Sequence, residues 1–304
     1  MAITEDIRRT QASVAEHFRK LHRQPTLLLP NVWDVISAKI YEQEGFEAVG
    51  TTSAGIAATL GFPDGQRIGA GATAEIVSRI VHRVSVPVSA DIEAGYSSSP
   101  EGVADSARLV LESGAVGINL EDSYGGCGAN PETSLSEVEA QMERIQAVRE
   151  MTESAGVPLF INARTDVFLV ASIPSSSQVD EAIRRGNMYL TAGADCVFVP
   201  DLGDLTCASI STLASELDGP LNIIAGKNTP PVPQLAAMGV ARLSFGPRPM
   251  RAALSFLAEM AREWTEQGTY RKMMGGGLTY DQVNAWFGDP STPRSSHQEG
   301  SRPS

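Results

Sequence analysis

Short apolar runs alternate with longer amphipathic segments along most of this chain. Eight runs, each five or six residues long, cover 26–30, 48–52, 86–91, 116–121, 158–163, 196–200, 221–225 and 241–246. Each run is too short and too uniformly apolar to lie half exposed, so each predicts a buried parallel strand. The segments between the runs predict helices over 32–44, 73–84, 100–113, 136–155, 179–192 and 232–238.

Glycines mark where several of these helices should end, just before the next strand: Gly45, Gly114, Gly156, Gly193 and Gly239. A helix commonly ends at a residue in the left-handed conformation, which glycine adopts most easily. A strand-then-helix unit repeated eight times predicts an α/β fold, the closed (β/α)8 or TIM barrel. The alternative is an open doubly wound sheet with an extra lobe. The barrel is favoured because no linker and no glycine-rich nucleotide fingerprint interrupts the chain.

We expect a single barrel domain over residues 1–288. A helix over 4–22 precedes the first strand, and further helices over 254–264 and 280–287 follow the last one. Residues 289–304 are polar and rich in proline and serine, a composition that predicts a disordered tail.

Net charge and cysteine content narrow the possible partners and compartment. The 304 residues include 24 Lys and Arg against 36 Asp and Glu, which gives a net charge of −12. This acidity argues against binding to nucleic acid or to a membrane surface, because both need a basic face. No apolar run approaches the roughly 20 residues of a membrane span. The three cysteines fit neither a disulfide framework nor a zinc knuckle, so we expect free thiols and a cytoplasmic protein.

Acidic residues concentrate where two neighbouring strands should end. In a barrel the carboxyl ends of the strands carry the active site. Asp91, Glu93, Glu121 and Asp122 would meet there, and their mutual repulsion requires a positive charge among them. Carboxylates without His or Cys companions suit Mg²⁺ or Mn²⁺ better than zinc. The alternative is neutralisation by Arg164, although one arginine cannot balance four carboxylates.

Other candidates stand at the same strand ends, each with a structural alternative. The small residues Ser53, Ala54 and Gly55 would let an anion approach backbone N–H groups, or they form a packing turn. Arg164 would bind a carboxylate, or it forms a salt bridge with Asp166 or Glu121. Trp33 would line the pocket, or it belongs to the core.

Five stretches resemble the isocitrate lyase/phosphoenolpyruvate mutase superfamily in order and spacing: residues 27–65, 86–96 (VPVSADIEAGY), 114–123 (GAVGINLEDS), 158–169 (PLFINARTDVFL) and 235–247. They are similar to bacterial members of the phosphonomutase-like and 2-methylisocitrate lyase-like kind. The resemblance implies a barrel whose last helix is commonly swapped between subunits, in a homodimer or homotetramer. It also implies Mg²⁺ and a small carboxylic or phosphonic acid substrate.

Residue roles follow from the resemblance by position. Asp91 would be the principal metal ligand, and Glu93 and Glu121 would hold the metal largely through its waters. Ser53, Ala54 and Gly55 would bind the substrate's carboxylate and oxyanion, and Arg164 would bind the carboxylate or the developing charge. Trp33 would line the pocket, and Asp64 would face the site from the segment after the second strand. Arg164 and Glu121 would also take part in catalysis.

The loop after the fourth strand departs from the family pattern. The lyases carry Lys-Arg-Cys-Gly-His there, with the cysteine as proton donor, whereas this chain reads SYGGCGAN over 123–130. Cys127 lacks basic neighbours that would lower its pKa. It either still protonates an intermediate or is a fortuitous cysteine in a flexible loop. Asp201 also stands where the lyases place a glutamate.

The implied reaction is Mg²⁺-dependent cleavage of a carbon–carbon bond in a small 2-hydroxy or 2-keto di- or tricarboxylate, similar to 2-methylisocitrate lyase. The reaction would pass through an enolpyruvate-type or oxyanion intermediate. Three alternatives stay open: phosphonopyruvate mutase or hydrolase chemistry, oxaloacetate hydrolysis or decarboxylation, and a non-catalytic metabolite-binding barrel.

Overall fold

The structure is a computed structural model, and it describes residues 5–23, 25–124, 134–201 and 205–287. Two compact units divide the chain, Met1–Ala253 and Leu254–Ser304. The predicted tail over 289–304 lies outside the described residues, and the single domain over 1–288 stays a prediction.

Parallel strands build the first unit, and a short antiparallel pair follows one of them. The strands are β1 (Leu27–Leu29), β2 (Asn31–Val32), β3 (Val49–Thr51), β4 (Val88–Asp91), β5 (Gly117–Glu121), β6 (Ser123–Tyr124), β7 (Ser134–Leu135), β8 (Phe160–Arg164), β9 (Cys196–Val199), β10 (Leu221–Ile224) and β11 (Arg242–Ser244). The main sheet has the order β1-β11-β10-β9-β8-β5-β4-β3-β2. Because β1 and β2 are two halves of one extended segment interrupted at Pro30, the sheet returns to its start and makes an eight-position barrel. The predicted (β/α)8 barrel is confirmed.

Helices connect the strands of the barrel, and further helices precede the first strand and follow the last one. They are α1 (Glu5–Leu21), α2 (Val35–Gln43), α3 (Ser53–Thr59), α4 (Gly69–Val81), α5 (Pro100–Glu112), α6 (Val138–Ala155), α7 (Gln178–Thr191), α8 (Cys207–Glu216), α9 (Val232–Ala237), α10 (Arg248–Gln267) and α11 (Tyr280–Ala285). All five glycines predicted to end helices have positive φ; Gly156, for example, caps α6 at φ 71°. No helix in the described ranges is long and apolar enough to cross a membrane.

Helix α1 packs against the barrel through aromatic side chains. Phe18 contacts the Phe160 ring edge-on at 5.4 Å, and the His22 ring stacks on Phe160 at 4.0 Å. Gly117 admits this packing, because a Cβ there would lie 2.8 Å from Phe18 Cε1. Burial lowers the pKa of His22 to about 3, so its imidazole is neutral. The aromatic contacts fix α1 to the strands that carry the site.

The second unit has its own polar anchor. The Glu263 carboxylate accepts hydrogen bonds from Thr269 Oγ1 at 2.6 Å and from the backbone N–H groups of Arg271 and Lys272. Thr279 caps α11 by accepting from Gln282 N. These bonds hold the turn between α10 and α11 in a defined shape.

Candidate active site

Three strands deliver the main acidic and basic side chains. Asp91 is the last residue of β4, Glu121 the last of β5 and Arg164 the last of β8. Asp91 pairs in register with Asn119, two residues before Glu121, and Glu121 pairs with Arg164. Parallel pairing therefore brings these groups to the carboxyl end of the barrel, where such folds carry their chemistry.

Asp91 is held by backbone and hydroxyl groups. Its own N–H donates to Thr51 Oγ1 at 2.9 Å, and its Oδ2 accepts from Ser53 N at 3.2 Å. The side chain is buried. No ion pair to Asp91 occurs within the described residues, so its charge faces the site without a direct cationic partner.

Glu93 has a strained backbone and an elevated pKa. Its φ is 52°, which is rare for a residue with a Cβ, and its Oε2 accepts from Gln66 N at 2.6 Å. Burial, followed by the charges of Asp64 and Asp91, raises the pKa of Glu93 to about 7. The carboxyl is therefore close to half protonated at neutral pH when no cation is present.

Gln66 and Tyr96 complete the support of Glu93, and both also have positive φ. Tyr96 N donates to Gln66 Oε1 at 2.7 Å, and the Tyr96 hydroxyl bonds Thr73 Oγ1 at 2.8 Å. Sequence analysis did not identify the role of either residue. Glutamine and tyrosine normally avoid positive φ, so nothing in the sequence indicates this backbone conformation.

Asp64 also belongs to the acidic centre. Burial and the charge of Asp91 raise its pKa, while Gly65 N–H and the Ser53 hydroxyl oppose the rise. Asp64 Oδ1 is buried without a hydrogen-bond partner in the described part of the chain. The charges of Asp64 and Asp91 contribute to the raised pKa of Glu93, and those of Asp91 and Glu93 contribute to the raised pKa of Glu121, so these carboxylates lie within electrostatic reach of their neighbours.

Arg164 is shared between two carboxylates. Its Nη1 lies 2.7 Å from Glu121 Oε2, and its Nε and Nη2 donate to the two oxygens of Asp166 at 2.6 and 3.0 Å. All three side chains are buried. Burial raises the pKa of Glu121 well above its usual value, with Arg164 opposing the rise. Both salt bridges weighed for Arg164 thus form, and they fix its guanidinium plane.

Asp122 lies in a different network from the one expected. Its Oδ2 accepts from Tyr189 OH at 2.7 Å, Thr165 Oγ1 at 2.8 Å and Arg185 Nη1 at 3.2 Å. Successive residues at a strand end point to opposite faces, so Asp122 turns away when Glu121 turns inward. Asp166, and not Asp122, is the second carboxylate that contacts Arg164 together with Glu121.

The remaining candidates are placed as follows. Ser53, Ala54 and Gly55 form the first turn of α3, and a Cβ on Gly55 would lie 2.6 Å from Trp33 Cβ and from Thr52 Cγ2. Trp33 is partly buried beside this turn. Packing thus requires glycine at position 55, whether or not a ligand binds. Cys127 lies outside the described residues.

The donor chemistry fits a hard divalent cation. The centre offers only carboxylates, and burial raises the pKa of Asp64, Glu93 and Glu121, with the charges of neighbouring carboxylates adding to the rise. Within the described ranges, no three Asp, Glu, His or Cys side chains converge closely enough to hold an ion by themselves. A cation here would therefore need water among its ligands, as Mg²⁺ commonly has in proteins.

Fold and site together define a barrel enzyme with an acidic, arginine-containing centre at the carboxyl ends of its strands. Residues 18–265 match the family model described as phosphoenolpyruvate phosphomutase. The chain belongs to this family, and the resemblance to the isocitrate lyase/phosphoenolpyruvate mutase superfamily is confirmed. The family is catalytic, so the non-catalytic alternative is set aside. Its members generally use a divalent metal, typically Mg²⁺.

Individual relatives span several activities. An uncharacterised Mycobacterium tuberculosis protein is 36% identical over 251 residues, 81% of this chain and 87% of its own length. The 2-methylisocitrate lyase of Bacillus subtilis is 29% identical over 192 residues, which are 62% of this chain and 60% of the lyase. A Burkholderia cenocepacia structure provisionally named a phosphonomutase has a TM-score of 0.76 and 38% identity, covering 82% of this chain and 99% of that one.

Proposed function

We propose that this enzyme cleaves a carbon–carbon bond in a small 2-hydroxy or 2-keto di- or tricarboxylate, in a reaction that requires Mg²⁺. The observation that supports this most strongly is the acidic centre next to a fixed arginine at the strand ends. The similarity of the chain to 2-methylisocitrate lyases favours a substrate of the kind that their name states.

In the proposed site Asp91 would hold the cation directly, and Glu93 and Glu121 would hold it through water. Bound Mg²⁺ would supply Lewis-acid chemistry at the substrate oxygens. Glu121 and Asp166 orient the guanidinium of Arg164, which would bind a substrate carboxylate. Backbone N–H groups of the first turn of α3 would face the developing negative charge, with Trp33 and Asp64 lining the pocket.

The bond changes of the proposed cleavage balance without an oxidant. The 2-hydroxyl loses a proton and becomes a carbonyl, while the adjacent carbon–carbon bond breaks. Its electron pair passes to the carbon next to a second carboxylate, and that carbon then takes up a proton. Cys127 is our candidate for the final proton donor.

Phosphonopyruvate chemistry is the second candidate, because the relative provisionally named a phosphonomutase covers most of this chain at 38% identity. A panel of 2-methylisocitrate, 2,3-dimethylmalate, oxaloacetate and phosphonopyruvate separates the candidates. We expect pyruvate release from a 2-hydroxy acid with Mg²⁺ and none with EDTA. Asp91→Ala should lower the turnover rate at least a hundredfold, which corresponds to roughly 3 kcal/mol in activation free energy. Turnover of phosphonopyruvate alone would replace the lyase proposal.

The role of Cys127 has a matched control. Cys127→Ser should reduce lyase turnover at least about tenfold if the thiol is the proton donor. Cys207→Ser should not, because Cys207 is exposed at the start of α8. Equal activity in both variants would exclude Cys127 as the donor.

We also propose a homodimer or homotetramer assembled through the second unit. That unit exposes large apolar side chains, including Phe256, Leu257, Met274 and Tyr280, the last of them 82% exposed. A unit that exposes many large apolar side chains is a candidate contact surface. Light scattering coupled to size exclusion should give a multiple of 32.3 kDa, and Phe256→Ser with Leu257→Ser should reduce it.

A further inference from the structure

An arginine lies wholly inside the barrel, beneath the acidic centre. Arg242 is 0% exposed and is the first residue of β11. Its Nη2 donates to Asn119 Oδ1 at 3.2 Å, whereas Nε and Nη1 have no hydrogen-bond partner in the described part of the chain. Removing a charge from water without a partner is expensive, so such a residue calls for a compensating interaction.

Its contact with Asn119 directs the guanidinium towards Asp91. In the sheet order three strands, β10, β9 and β8, separate β11 from β5, so the side chain crosses the barrel interior to reach Asn119. Asn119 is paired in register with Asp91 on β4 and also accepts from Asn162 Nδ2 at 2.8 Å. The bond thus places a positive charge next to the strand position that carries the Asp91 carboxylate.

Arg242 remains charged in this position. Burial lowers its pKa to about 10, opposed by Cys196 and Asp91. Burial raises the pKa of Cys196 to about 12, so that thiol is neutral at pH 7. The Asp91 carboxylate lies within electrostatic reach of Arg242, while Arg164 is paired with Glu121 and Asp166.

We propose that Arg242 is an internal counter-charge for Asp91 that stabilises this carboxylate in the metal-free enzyme and weakens the hold of the site on a divalent cation. Like charges repel across a low-dielectric interior, so a fixed cation near Asp91 opposes a second one arriving there. Arg242 would thereby let the bound cation dissociate more readily, although it does not contact the substrate. This inference rests on the proposed function, because it requires a cation at Asp91.

Calorimetric titration with Mn²⁺ alone, at low salt and neutral pH, tests the sign of this effect. We expect Arg242→Met and Arg242→Gln to bind Mn²⁺ at least about tenfold more tightly than the parent enzyme. Arg242→Lys keeps the charge and should stay within about threefold. Arg79→Met removes an exposed positive charge from α4 and controls for net charge. A residue that only fills the core would leave affinity unchanged or lower it.

Each outcome decides the matter. The proposal is wrong if the neutral variants bind Mn²⁺ no more tightly than the parent enzyme while their melting curves show folded protein. The proposal is also wrong if Arg242→Lys binds Mn²⁺ as tightly as the neutral variants do, because the loss of charge is then not the cause of the tighter binding. If the parent enzyme binds no Mn²⁺, the cation of the proposed function fails and the inference falls with it, a result distinct from the other two.

Discussion

Glu93 allows the acidic centre to be tested without a known substrate. The informative change is Glu93→Gln in metal-free enzyme. Glutamine has nearly the same shape as glutamate, and its Oε1 can accept the hydrogen bond from Gln66 N. The φ of 52° at position 93 strains the backbone equally in the variant and the parent. The two proteins therefore differ chiefly in whether residue 93 can ionise.

The size and sign of the effect follow from the pKa. A rise from 4.5 to about 7 corresponds to about 3 kcal/mol, at about 1.4 kcal/mol per pH unit. The folded enzyme holds this proton more tightly than the unfolded chain does. Its stabilising contribution is therefore complete below the unfolded pKa of 4.5 and is lost as pH rises through about 7.

Urea unfolding in EDTA, followed by circular dichroism, measures this directly. Near pH 5 the two proteins should differ little in free energy of unfolding, and near pH 8 the glutamine variant should be more stable by about 3 kcal/mol. Saturating Mg²⁺ should reverse the order near pH 8, because an ionised Glu93 then interacts favourably with the cation.

The reasoning has a clear point of failure. A stability difference that stays constant between about pH 5 and pH 8 in EDTA would mean that Glu93 does not titrate against neighbouring carboxylates. A parent enzyme more stable than the variant near pH 8 in EDTA would have the opposite sign and would refute the burial argument outright.

Three further predictions use other contacts. Asp166→Asn removes half of the bidentate grip on Arg164 and should lower kcat/KM at least about tenfold, by steady-state kinetics on the substrate found in the panel. Asp195→Ala leaves Arg19 and Arg149 without their shared carboxylate and should cost about 3 kcal/mol in urea unfolding; exposed Asp105→Ala should cost under about 1 kcal/mol. Gly117→Ala places a methyl 2.8 Å from Phe18 Cε1 and should cost about 1–3 kcal/mol by the same measurement.

The sequence predicted the barrel because its strands are buried on both faces and therefore appear as continuous apolar runs. It missed α3, since six of the seven residues of that helix are small and show no helical periodicity. It also missed the β6–β7 pair, whose two-residue strands are too short to carry a pattern. Local pattern therefore fails on the shortest elements.

Within the site, the sequence located strand ends but not the direction of each side chain. Glu121 and Asp122 are adjacent acids with the same composition signal, yet the structure sends one to Arg164 and the other to Tyr189. Likewise the apolar run over 241–246 contains Arg242, whose partner is 123 residues away on β5. Such pairings depend on barrel register, which no local pattern contains.

The strained backbone of the site explains how its carboxylates stay together. Gln66, Glu93 and Tyr96 all adopt positive φ, at a cost of order 1–3 kcal/mol each. Their bonds interlock, since Gln66 N donates to Glu93 while Tyr96 N donates to the Gln66 side chain. No member can relax without breaking a bond of its neighbour, so the loop holds the Glu93 carboxylate near Asp64 and Asp91 against their repulsion. A preformed centre of this kind meets a cation or a substrate without reorganising, which is the advantage that offsets the strain.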